Sequence, residues 1–123
     1  MKNLITILLL LPIFISSQSL WTQLGQDIDG DSASFLGKSV SMNATGDRVA
    51  IGSHYFNAFT GRVQIFEYNG SSWVQVGLDI DGEASGDQSG YSVSMNATGD
   101  RVAIGATGND GIGNSAGHVR IFE

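Results

Sequence analysis

The chain has 123 residues, with 17 glycines, one proline and no cysteine, and carries 12 Asp and Glu against 6 Lys and Arg. The lack of cysteine excludes a disulfide framework, so a small domain of this composition must be held by packing and by sheet ladders. The net charge of −6 comes with no basic patch, which argues against nucleic acid as a partner and mainly favours solubility.

Residues 1–19 have the pattern of a secretory signal peptide. Lys2 supplies the positive start, residues 4–15 form an apolar run broken only by Thr6 and Pro12, and Ser17, Gln18 and Ser19 give small residues at cleavage spacing. The run is too short for an anchor, since about 20 apolar residues are needed to span a bilayer. The expectation is therefore a cleaved leader, no stable membrane span afterwards, and a secreted or cell-surface product.

Residues 20–123 are organised by repetition. Residues 39–52 read SVSMNATGDRVAIG and residues 92–105 read the same, identical at all fourteen positions. Trp21 and Trp73 open similar runs, WTQLGQDIDGD and WVQVGLDIDGE, and GRVQIFE at Gly61 matches GHVRIFE at Gly117. The unit is thus about 52 to 56 residues, giving two repeats at about 21–72 and 73–123.

Each unit reads as four short strands with period-two alternation: 21–25 and 73–77, 39–42 and 92–95, 48–52 and 101–105, 63–66 and 119–122. The pattern puts Val40, Met42, Val49, Ile51, Val63 and Ile65 on one face, and Ser39, Ser41, Ala50 and Gly52 on the other. A bulky face and a small face suit stacking between sheets. A helix is excluded by the missing 3.6-residue period. Residues 43–47 form a hairpin turn around Gly46, and Asn69-Gly70 closes a second hairpin onto the next Trp strand. The outcome is an all-β chain of antiparallel four-stranded meanders, as in two blades of a β-propeller whose ring is incomplete. A propeller needs about four to eight blades. The favoured expectation is an N-terminal fragment with further blades in the same chain, and the alternative is self-assembly of several copies.

Gly90-Tyr91-Ser92-Val93, Val102-Ala103-Ile104-Gly105-Ala106 and the run GHVRIF from Gly117 resemble the FG-GAP repeat of integrin alpha-type propellers and of many bacterial surface proteins. Gly37-Lys38-Ser39-Val40, Val49-Ala50-Ile51-Gly52 and the run GRVQIF from Gly61 carry the same resemblance in the first unit. The resemblance implies a propeller fold and, in some members, calcium between the second and third strands. The corresponding loops here, residues 43–47 and 96–100, each hold one carboxylate, so Asn43 and Asn96 read as turn residues.

A second metal candidate is the acidic set Asp27, Asp29 and Asp31 with Asp79, Asp81, Glu83 and Asp87, which places acids at alternate positions around a glycine, as a calcium loop does. The favoured reading is a solvated acidic connection with an Asp-Gly turn, and calcium is the alternative. Trp21 and Trp73 read as packing residues at a fixed place in each unit, with stacking on sugar rings as the alternative. Asn43, Asn69 and Asn96 each begin an N-x-Ser/Thr sequon. His54 and His118 are not equivalent positions. No nucleophile motif stands out, so no catalytic residue is assigned. The leading expectation is a non-catalytic module for protein or glycan interaction. The alternatives are part of a propeller enzyme with a metal-assisted hydrolytic site, and a structural spacer for a downstream domain.

Overall fold

The computed structural model describes residues 20–123, so the expected leader at 1–19 lies outside the described residues. The chain is all-β and antiparallel, in two sheets packed on one another. In the first, β1 (Ser39–Met42), β2 (Arg48–Ser53), β3 (Arg62–Tyr68) and β4 (Trp73–Gln75) run as an up-and-down meander. A short fifth strand, β5 (Ile80–Asp81), pairs with the start of β3 through Val63↔Ile80 and Arg62↔Asp81. The second sheet is β6 (Ser89–Met95), β7 (Val102–Ala106) and β8 (His118–Phe122). Among the described residues no helix is long and apolar enough to cross a membrane.

The repeated hairpins form because their turns are closed by their own side chains. Asn43 Oδ1 accepts from the backbone N–H of Asp47 and Arg48 at 3.1 and 3.0 Å, and its Nδ2 donates to Asp47 Oδ1 at 2.7 Å. Asn96 repeats the bonds to Asp100 and Arg101. Gly46 has φ 74°, the left-handed conformation such a turn needs. The asparagines are thus turn residues, as their setting in the sequence suggested.

The core lies between the sheets. Ala50 and Val63 from the first meet Val102 and Ile104 from the second, with Ile65, Ile80, Val93, Met95 and Phe122 packed around them. Full burial of a side chain of this size contributes about 1.5–3 kcal/mol. The sheets approach closely at Gly52, where a Cβ would lie 2.1 Å from Gly90 O.

The structure corrects the expected faces. The register pairs Gly52 with Val63 and Ala50 with Ile65, so Val63 and Ile65 share the face of Ser41, Ala50 and Gly52, not that of Val49 and Ile51. Alternation along a strand fixes two faces but leaves the phase between strands open, and here the loop after β2 sets it. The expected strand at residues 21–25 does not form, and Trp21 is 89% exposed. Its partner in a closed meander would be a strand such as β8, which pairs only with β7 among the described residues. The segment lies instead against β4. Trp73 donates its indole N–H to Leu24 O at 2.8 Å, and the Gln26 amide bonds both to Trp73 O and to Trp73 N–H. Trp73 itself packs, half-buried, on Tyr68 with ring centroids 5.4 Å apart. The second acidic connection, expected to be solvated, contains β5. A short helical turn, α1 (Phe56–Phe59), interrupts the loop after β2, with Asn57 and Ala58 at φ 47° and 53°. It is a left-handed turn set in a loop, not a regular helix.

Candidate functional site

The loops at 31–38, 54–61, 82–88 and 107–117 gather at one end of the two sheets. Backbone bonds stitch them together: Gln88 N–H to Phe59 O at 2.7 Å, Gly82 N–H to Gly61 O at 2.8 Å, and Gly108 N–H to Asp87 O at 3.0 Å. Non-glycine residues with positive φ concentrate here, at Ala33, Phe35, Asn57, Ala58, Phe59 and Gln88. Each such residue costs on the order of 1–3 kcal/mol, and strained positions cluster at functional surfaces.

An aromatic cluster occupies this end. Phe35 meets Tyr55 edge-to-face at 4.8 Å, and Tyr55 meets Phe59 at 4.6 Å. His54 lies against Tyr55 at 4.1 Å and edge-on to Tyr91 at 5.5 Å. Lys38 Nζ sits 4.4 Å from the Tyr91 ring centroid. His54 is buried, whereas Phe35, Tyr55, Phe59 and Tyr91 are between 38% and 60% exposed. An exposed apolar patch of contiguous rings on a small domain is a feature of binding surfaces. Burial lowers the pKa of His54 below its ordinary value, and the Lys38 charge adds to this.

Beside the patch lies an ion-pair group centred on Arg62, only 6% exposed. It pairs with Asp31 and, at 2.9 Å, with Asp79, and its guanidinium lies 3.8 Å from the Phe56 ring centroid. Asp79 also accepts from Gln64 and Gln75 at 3.0 and 2.7 Å. Burial raises its pKa, but the bonds from Gln75 and Gln64 and the Arg62 charge outweigh this, leaving it below the usual carboxylate value.

The seven acids of the candidate calcium set divide among separate partners. Asp27 accepts from Gln23, Asp31 and Asp79 face Arg62, and Asp81 is the cross-strand neighbour of Arg62 in β5. Glu83 lies 3.6 Å from His118, and buried Asp87 accepts from Asn109 Nδ2 and Ala84 N–H at 3.0 and 3.1 Å. Asp29 lies exposed in the connection before β1. No group of three or more His, Cys, Asp or Glu suited to a metal occurs among the described residues. The Asp-Ile-Asp alternation at 79–81 serves strand pairing: Ile80 joins the core and Asp79 turns to Arg62.

The sequence reading did not single out Tyr55, Phe59 or Tyr91. The signal was present in His54-Tyr55-Phe56, which puts rings in a loop where the second unit has Thr107-Gly108-Asn109. At the opposite end a crevice of about 240 Å³ opens between the sheets, lined by Ile65, Val76, Ile80, Met95 and Phe122 among others. It is smaller than the roughly 300–1,000 Å³ of ordinary ligand pockets. Comparison of the chain with protein-family models gave no match, and comparison with curated proteins gave none either.

Proposed function

We propose that this chain is an exported β-propeller repeat module of FG-GAP type that binds a protein or glycan at its loop end and catalyses no reaction. The exposed ring cluster of Phe35, Tyr55, Phe59 and Tyr91, rimmed by Lys38, carries the reading. Rings held edge-to-face give rigid apolar area at low entropic cost, and such area anchors protein and sugar ligands. The order β1–β4, packed on a second sheet that repeats its first three strands, supports the propeller part of the reading. The signal-like residues 1–19 support a secreted or cell-surface location.

The test is binding of the purified chain to a glycan array and to a panel of extracellular proteins, with the wild type beside the double variant Tyr55→Ala, Phe59→Ala. The wild type should retain ligands that the double variant loses by tenfold or more. Equal binding by both, or none by the wild type, overturns the reading. Sequencing the N-terminus of the exported product tests the leader, and a product that begins at Met1 refutes cleavage.

A further inference from the structure

The hairpin between β3 and β4 has Asn69, Gly70, Ser71 and Ser72 at its tip, and its backbone is arranged around the Asn69 side-chain amide. We propose that Asn69 is a site of self-modification. The Gly70 backbone nitrogen attacks the Asn69 side-chain carbonyl and expels ammonia, and hydrolysis then leaves aspartate or isoaspartate at this position.

The carbonyl is surrounded by donors. Asn69 Oδ1 accepts from Ser71 N–H at 3.0 Å, from Ser71 Oγ at 3.0 Å and from Ser72 N–H at 2.9 Å. Three donors aimed at one oxygen stabilise the negative charge that develops there when the carbonyl carbon is attacked. To reach Ser71 N–H the side chain folds across the peptide that joins Asn69 to Gly70, which brings Cγ towards the Gly70 nitrogen.

The nucleophile and the leaving group are both free. Neither Gly70 N–H nor Asn69 Nδ2 donates to an acceptor among the described residues. Both residues are exposed, and a Cβ at Gly70 would have no heavy atom within 4 Å, so solvent reaches the nitrogen. The other asparagines lack this combination. Asn43 and Asn96 spend Nδ2 on Asp47 and Asp100, and each is followed by alanine. Asn109 is buried with its Nδ2 on Asp87. Asn57 and Asn114 accept no hydrogen bond on their side-chain carbonyls among the described residues.

The reaction balances with water alone. Hydroxide takes the Gly70 amide proton, and the nitrogen forms a bond to Asn69 Cγ. The Cγ–Nδ2 bond breaks and ammonia leaves with a proton from solvent, giving a cyclic imide. Water opens the imide at either carbonyl. The aspartate product keeps the turn and adds one negative charge. The isoaspartate product routes the main chain through the former side-chain methylene, so the turn gains one backbone atom. The bond from Asn69 N–H to Ser72 O at 3.0 Å and the pairing of Tyr68 with Trp73 both depend on turn length, so β4 loosens.

This site is independent of the ligand reading, because the hairpin includes no residue of the ring cluster. The test is peptide mapping by mass spectrometry of the whole purified chain, held at pH 8 and 37 °C in ¹⁸O-water, with isoaspartate read by enzymatic methylation. Position 69 should take up the label before any other asparagine of residues 20–123. Ser71→Ala, at an exposed position, removes one of the three donors and should slow the reaction severalfold, with thermal unfolding unchanged. In urea, where the turn is lost, wild type and variant should react at one rate. Labelling that appears first at another asparagine, an unchanged rate in folded Ser71→Ala, or the same ratio of rates in urea as in the folded chain overturns the proposal.

Discussion

Residues 39–52 and 92–105 are the same fourteen amino acids in two different surroundings. The first copy turns Ser39, Ser41, Ala50 and Gly52 towards the interior and leaves Val40 and Met42 more than half exposed. The second turns Val93, Met95, Val102 and Ile104 inward and leaves Ser92 and Ser94 in solvent. Val49 and Ile51, on the face of Val40 and Met42, are nevertheless buried in the first copy, so local sequence dictates the hairpin and its turn, and position decides which side chains meet the other sheet. Two hairpins with one sequence give an internal control that few small domains offer.

The comparison is sharpest at the fourth strand of each unit. Val63→Ala should cost about 2–3 kcal/mol, from two lost methyl groups and the cavity they leave, while Val119→Ala should stay within about 0.5 kcal/mol. Urea unfolding at a concentration where the chain is monomeric measures both, and equal losses would erase the distinction between inner and outer faces. Next come the paired glycines. Gly52→Ala should cost about 1–3 kcal/mol, because its Cβ meets the rigid Gly90 carbonyl. Gly105→Ala should cost less, since Ser92 Oγ can rotate away. Thermal midpoints of the two variants decide this.

A smaller difference separates the paired arginines. Arg48 bonds Glu67 and also reaches Gly99 O across the sheets, whereas the Arg101 guanidinium pairs with the exposed Glu123. Arg48→Ala should lose about 1 kcal/mol and Arg101→Ala about half of that or less. The smallest effect belongs to His54, whose counterpart in the second unit is Thr107. Its folded pKa is lowered, so the unfolded chain takes up the proton first, near pH 6.5. Stability should fall as pH drops below about 6.5 towards the lower folded value, and His54→Thr should flatten that slope. Thermal midpoints from pH 8 to pH 5 check it, and an unchanged slope would assign the dependence to other groups.

The carboxylates of the two turns behave alike, which marks the limit of the contrast. The bonds from Asn43 and Thr45 lower the pKa of Asp47, and those from Asn96 and Thr98 do the same for Asp100. Both turns lose this support only as pH falls below about 4, through the lowered folded values.

Much of the fold was legible in the sequence. Period-two alternation and Asn-Gly chemistry located β1 to β4 and β6 to β8, because such signals act within a few residues. The phase of β3 was not legible, since it depends on how residues 53–61 cross between strands, and three left-handed residues (Asn57, Ala58 and Phe59) shape that crossing. The strand at 21–25 failed for a related reason. Its pattern matches 73–77, but a strand needs a partner edge, and Gln26 and Leu24 instead find Trp73. The acidic alternation is plain in the sequence, yet the partner Arg62 lies far along the chain, so the pairing role of Asp31 and Asp79 came only with the register. The ring cluster came from residues unlike between the repeats, which a search for likeness passes over.

The bond of Gln26 to Trp73 bears on solubility. An exposed outer strand offers unpaired amides and carbonyls on which another chain can build. The Gln26 side chain supplies one acceptor and one donor to the same residue, in the manner of a neighbouring backbone. It acts as a stopper at the rim, and extension of the first sheet past Trp73 has to displace it first. Gln26→Ala should therefore raise the rate at which the chain forms fibrils on gentle warming, while leaving the stability of the core unchanged.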